Sequence, residues 1–148
     1  MNRIARILLA VPLAAHLFAG GFWVELGNPS ASPEAREKHA VLVARITGCH
    51  DVTKASVTAT AEGIVGGQHK SVALTLIPLA TPGAYAVTRE WSVAGNWAVT
   101  VVATANGLTT SLLVRMDRDG FDRSSARYFP RNPRPEEIAA VIGNTASL

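Results

Sequence analysis

From Ala40 to Met116 the chain is a series of short apolar and β-branched runs, each closed by glycine, proline, asparagine or charged residues. They are AVLVARI over 40–46, ASVTATAEG over 55–63, KSVALTLIPL over 70–79, AYAVTREW over 84–91, NWAVTVVATA over 96–105 and LTTSLLVRM over 108–116. Within them the apolar positions recur with period two. Val57, Ala59 and Ala61 fall on one face, and Ser56, Thr58, Thr60 and Glu62 on the other, which describes a strand with one buried and one wet side. Val72, Leu74 and Leu76 form a similar inner row. Tyr85, Val87, Arg89 and Trp91 share a face of the next run, as do Trp97, Val99, Val101 and Ala103 of the one after it. Runs of this kind with turn signals between them predict an all-β protein. The expected architecture is an immunoglobulin-like antiparallel β-sandwich of roughly six to seven strands.

The turns sharpen this picture. Asn106-Gly107 is the pair best suited to the positive φ angles of a type I′ turn, so the last two runs are expected to be antiparallel neighbours. Gly66-Gly67 reads as a turn and not as a phosphate cradle, because no helix follows it. SVAG with Asn96 reads as the turn of a hairpin between the two tryptophan-bearing runs.

Outside these runs the pattern changes. Residues 22–38 mix proline, serine and charge and are expected to form a linker or N-terminal arm whose apolar start can dock on the domain. A brief helix is expected at SPEAREKHA, with Ser32 as cap, Pro33 in the first position and Glu34 in the first turn. Beyond the sandwich domain, placed at 39–120, the extension over 121–148 contains Pro135, Glu136, Glu137 and then Gly143 after IAAVI. These predict a short C-terminal helix over about 135–142 that docks through Ile138, Val141 and Ile142.

The first 21 residues have another logic. Arg3 and Arg6 precede an apolar segment from Ile7 to Phe18 that ends in Ala19, Gly20 and Gly21, which is the layout of a signal peptide. The segment falls short of the roughly 20 apolar residues of a bilayer crossing, and Pro12 and His16 interrupt it. The expectation is a secreted or periplasmic protein with no stable membrane span after cleavage; the alternative is anchoring by an uncleaved segment. Cleavage would remove two of the 14 Lys and Arg and none of the 11 Asp and Glu, so the formal charge falls from +3 to +1. The remaining basic residues are dispersed apart from RYFPRNPR, which argues against nucleic acid as a partner. With 148 residues and 48% apolar content the chain can fill one core, and Cys49, the only cysteine, leaves no internal disulfide to help it.

Candidate chemistry is sparse. Trp97 is expected in the core, whereas Trp91, at a strand end beside Arg89 and Glu90, either caps the core or contacts a ligand or partner. Cys49 and His50, with His69, offer soft and imidazole donors suited to Cu(I); His39 and Met116 are further donors, and an unremarkable loop thiol or an intermolecular disulfide is the competing reading for Cys49. DRDGFD over 117–122 supplies Asp117, Asp119 and Asp122, hard oxygen donors for Ca²⁺, but it lacks the closing Glu and full spacing of an EF-hand, and with Arg115, Arg118 and Arg123 interleaved a solvated charged turn is the favoured reading. No nucleophile, base and orienting group stand at informative spacing, so no catalytic residue is expected.

The sequence Gly83-x-Tyr85-x-Val87 followed by Gly95-x-Trp97-x-Val99-x-Val101 resembles the hairpin of exported bacterial immunoglobulin-like β-sandwiches of the FixH/YtkA-like type, over about residues 70–116. That resemblance implies a small extracytoplasmic accessory or binding domain, in some members tied to copper or to cytochrome oxidase biogenesis. The functional expectation is an exported, non-enzymatic module with a protein or cell-envelope partner. The alternative is a periplasmic copper-handling protein using Cys49, His50 and His69.

Overall fold

In the computed structural model, which describes residues 21–48 and 51–143, the alternating runs become nine strands. In chain order they are β1 (Trp23–Gly27), β2 (Leu42–Thr47), β3 (Ser56–Val65), β4 (Gln68–Leu74), β5 (Leu76–Pro78), β6 (Ala84–Val87), β7 (Asn96–Ala105), β8 (Leu108–Met116) and β9 (Arg127–Phe129). Two helices, α1 (Pro33–Glu37) and α2 (Pro135–Gly143), flank them. One sheet has the order β1-β2-β6-β5 and the other β4-β3-β7-β8-β9, and every pairing is antiparallel. The first four strands of each sheet follow the A-B-E-D and C′-C-F-G arrangement of an immunoglobulin-like sandwich. β9 extends the second sheet past its usual last strand.

The count exceeds the expected six to seven for physical reasons. WVELG in the supposed N-terminal arm is only five residues long, yet it turns Val24 and Leu26 into the core and pairs with β2 along its whole length. β9 adds a strand within the C-terminal extension. The run 70–79 breaks at Thr75, where the chain leaves one sheet as β4 and enters the other as β5. The Thr75 N–H donates to Glu90 Oε1 at 2.7 Å, so the change of sheet leaves no orphaned donor there.

One expectation is corrected. The two tryptophan-bearing runs are not a hairpin: β6 ends at Val87 and pairs with β2 and β5, whereas β7 lies in the opposite sheet between β3 and β8. Residues 88–95 cross between the layers. The hairpin predicted at Asn106-Gly107 does form, with Ala105 opposite Leu108 and φ of 51° and 75° at the two turn residues.

Between the sheets lies one core, with Leu42, Ala44, Ile46 and Val87 from one layer facing Val99, Val101, Leu112 and Val114 from the other. On β3 the inward row is small, running Ala59, Ala61 and Gly63, and Gly63 stands directly opposite Trp97 of β7. A methyl group on Gly63 would collide with the Trp97 indole. The bare backbone of Gly63 is therefore the floor on which this ring packs.

Both expected helices are present. Ser32 Oγ accepts the Ala35 N–H at 3.2 Å to cap α1, and His39 ends that turn with φ of 53°. α2 lies on the outer face of β7 and β8, where Val141 and Ile142 are buried with Ala98 and Leu113, and Ile138 and Phe129 pack alongside. Glu137 fixes its start: it receives Arg131 in two bonds of 2.8 Å and the Arg134 N–H at 2.7 Å, reaching back across the first turn as a capping-box glutamate does.

Arg131, and then the Arg134 N–H, hold the Glu137 carboxyl down from 4.5 to about 2. A carboxylate with a depressed folded-state pKa stabilises the structure fully above its unfolded value and loses that contribution as pH falls through the folded one. Docking of α2 should therefore weaken between pH 4.5 and about 2, seen as methyl shifts of Ile138, Val141 and Ile142, and Glu137→Gln should abolish that step. Trp97→Ala should lower unfolding free energy by about 3–5 kcal/mol in urea melts. Gly120→Ala, where an added methyl meets nothing within 4 Å, should stay within about 0.5 kcal/mol of wild type.

Candidate functional site

The crossover over 88–95 is fixed at nearly every residue. Arg89 Nη2 donates to the carbonyls of Asp117 and Arg118 at 2.8 and 2.7 Å, and its guanidinium lies 5.2 Å from the Trp91 ring centroid. Glu90 holds Thr75, and Ser92 Oγ accepts the Ala94 N–H at 3.0 Å. The Ala94 carbonyl accepts Trp97 Nε1–H at 2.8 Å. Gly95 has φ of 89° and passes so close to the Ile64 carbonyl that a side chain there would overlap it. Trp91 thus turns inward, 6% exposed, with its ring 6.3 Å from that of Trp97 at 39°. It caps the core and offers little surface to a ligand. Its Nε1 is buried and has no hydrogen-bond partner among the described residues.

Cys49 and His50 lie outside the described residues. His69 is on β4, exposed, with Nε2 3.0 Å from Glu62 Oε2 and with Ile64 as its cross-strand partner. That is the end of β3 remote from Ser56, while His39 follows α1 and Met116 is buried at the end of β8. Among the described residues no three His, Cys, Asp or Glu side chains converge as a metal site.

Asp117, Asp119 and Asp122 are likewise not gathered round one cation position among the described residues. Asp122 turns away to accept the Ser124 N–H at 2.9 Å and to pair with Arg115. The Ser124 hydroxyl, which donates to Asp122 Oδ1 at 2.6 Å, is the foremost cause that lowers its pKa. The Asp117 carbonyl accepts from Arg89. Millimolar Ca²⁺ should accordingly shift the melting temperature by less than about 1 °C in calorimetry; a larger, saturable rise would contradict this geometry.

The feature most suited to contact is one lateral side of the sandwich. β1 ends one sheet and β9 ends the other, and among the described strands each has a single partner, β2 and β8 respectively. Opposite Leu112, Tyr128 occupies the inward-facing row of β9, but at the rim of the layer it is 55% exposed. It lines a recess of about 450 Å³ with Trp23, Val24, Glu25 and Leu26. Trp23 is 43% exposed, and its Nε1 reaches Glu25 Oε1 at 3.3 Å. Two exposed aromatics beside two unpaired strand edges can hold an extended chain by backbone hydrogen bonds and side-chain burial.

The sequence reading assigned Trp23 to an arm and Tyr128 to an extension, so neither was singled out. The available signal was the alternation of WVELG, Trp23 and Glu25 outward and Val24 and Leu26 inward. Comparison with family models, with curated proteins and with solved structures finds no match for this chain.

Proposed function

We propose that this protein is an exported, non-enzymatic binding module that takes an extended segment of a protein partner along the β1 and β9 side of the sandwich. The observation that carries this reading is the exposure of Trp23 and Tyr128 in one recess between two strand edges. Natural sheets usually blunt free edges with charge, proline or cover, and an edge flanked by exposed aromatics is a ready template for another strand. Here Glu25, weakly paired with Arg45 at 4.0 Å, is the charged residue of β1. Main-chain pairing would supply affinity and the two rings would select apolar side chains at alternate positions of the guest.

Export is supported by Arg3, Arg6 and the apolar segment from Ile7 to Phe18, which resemble a signal, and the mature charge near neutrality suits a partner chosen by shape and apolar contact. The immunoglobulin-like topology agrees with an extracytoplasmic accessory domain of the FixH/YtkA-like kind, although the stretch that carries that resemblance is an intersheet crossover and not a hairpin.

A photo-crosslinking side chain placed at Tyr128 or Trp23 in cells that export the protein should give one discrete adduct, lost when the other aromatic is changed to alanine. The same probe at Val93, which is 82% exposed on the crossover, should not give it. Equal labelling from position 93, or no adduct from positions 23 and 128, would overturn the assignment.

A further inference from the structure

We propose that a second recess, distinct from the β1 and β9 side, binds a small organic or inorganic anion through Arg36 and Arg123. It measures about 480 Å³ and is walled by Asn28, Ser30 and Arg36 on one side and by Asp119, Phe121 and Arg123 on the other. That volume lies within the range of small-molecule sites. The sequence that builds it is the link from β1 to α1, facing the loop that follows β8.

Both guanidinium groups are oriented by the protein. Arg36 Nη1 donates to the Ser30 carbonyl at 3.0 Å. Arg123 Nη2 donates to the Leu26 carbonyl at 3.4 Å, and its charged head lies 5.5 Å from the Phe121 ring centroid. A guanidinium has five N–H donors, so one carbonyl contact leaves a fork for a carboxylate or phosphate. Holding that fork on a carbonyl and against a ring reduces the ordering cost of binding. Among the described residues neither Arg36 nor Arg123 makes a salt bridge, whereas Arg45, Arg115, Arg131 and Arg134 do. Two arginines free of carboxylate partners thus line one open recess.

Asp119 sets the rest of the specificity. Its carboxylate repels a densely charged polyanion and accepts a hydrogen bond from a ligand that has a donor besides its anionic group. The ligand class is therefore a carboxylate or phosphate of small size, preferably carrying a hydroxyl or amino group.

The test is a titration of the isotopically labelled protein with lactate, a monoanionic hydroxy-carboxylate, and separately with inorganic phosphate, both against sodium chloride of matched ionic strength. Saturable amide shifts confined to residues 28–36 and 119–123 are expected with at least one probe, and the probe that produces them distinguishes carboxylate from phosphate. Arg36→Gln and Arg123→Gln should each weaken binding about tenfold or more, while Lys70→Gln on β4 should leave it unchanged. The proposal is overturned if neither probe gives saturable shifts up to about 10 mM, if sodium chloride reproduces them, or if the double Arg36→Gln, Arg123→Gln variant binds as wild type does.

Discussion

The seating of the Trp97 ring on the backbone of Gly63 is the contact on which the rest of the sandwich depends. It joins β7 to β3 at a cross-strand pair and gives the core one of its two indole rings, with the indole N–H satisfied by Ala94. Its position requires Gly95 to pass close to the Ile64 carbonyl, and so fixes where the crossover from β6 must end. Trp91 then packs beside Trp97, Arg89 stacks on Trp91 and reaches the loop after β8, and Glu90 ties the place where β4 gives way to β5. A glycine at 63 and a positive φ at 95 thus seat, within one sheet, the ring against which the crossover from the other sheet packs.

Much of this was legible in the chain. The alternation of Val57, Ala59 and Ala61 and of Trp97, Val99, Val101 and Ala103 predicted the inward rows, Asn106-Gly107 predicted a hairpin, and Ser32 and Pro135 marked two helix starts. Period two, however, says which face of a strand is buried and not which sheet the strand joins. The pattern through Arg89 and Trp91 continued past the end of β6 because the crossover begins by turning Trp91 inward, two residues after the half-buried Arg89, as a strand would. Thr75 likewise leaves no mark on the alternation, since its backbone is satisfied by Glu90, far away in sequence.

The contact surface was less legible, for a related reason. The surface proposed for contact lies at the sheet edges, and an edge is a property of sheet order. Trp23 and Tyr128 become neighbours because β1 and β9 end their respective sheets on one side, which a single hairpin cannot reveal. Trp91, conspicuous in the sequence, is interior, where it packs beside Trp97 under the Arg89 guanidinium. The acidic loop over 117–122 was conspicuous too, but its oxygens serve Arg89, Arg115 and the turn at Ser124.

The central claim is that the ring of Trp97 requires a glycine beneath it, and a double-mutant cycle of Gly63→Ala with Trp97→Val in urea melts tests it most directly. If the added methyl is harmful because it meets the indole, Gly63→Ala should cost about 1–3 kcal/mol in the wild-type background. With the smaller side chain at 97 only the approach to the Asn96 carbonyl remains, so the same change should cost clearly less, giving a coupling of about 1 kcal/mol or more. Additive losses agreeing within about 0.5 kcal/mol would contradict the account, because Gly63 would then matter for some reason other than the ring that rests on it.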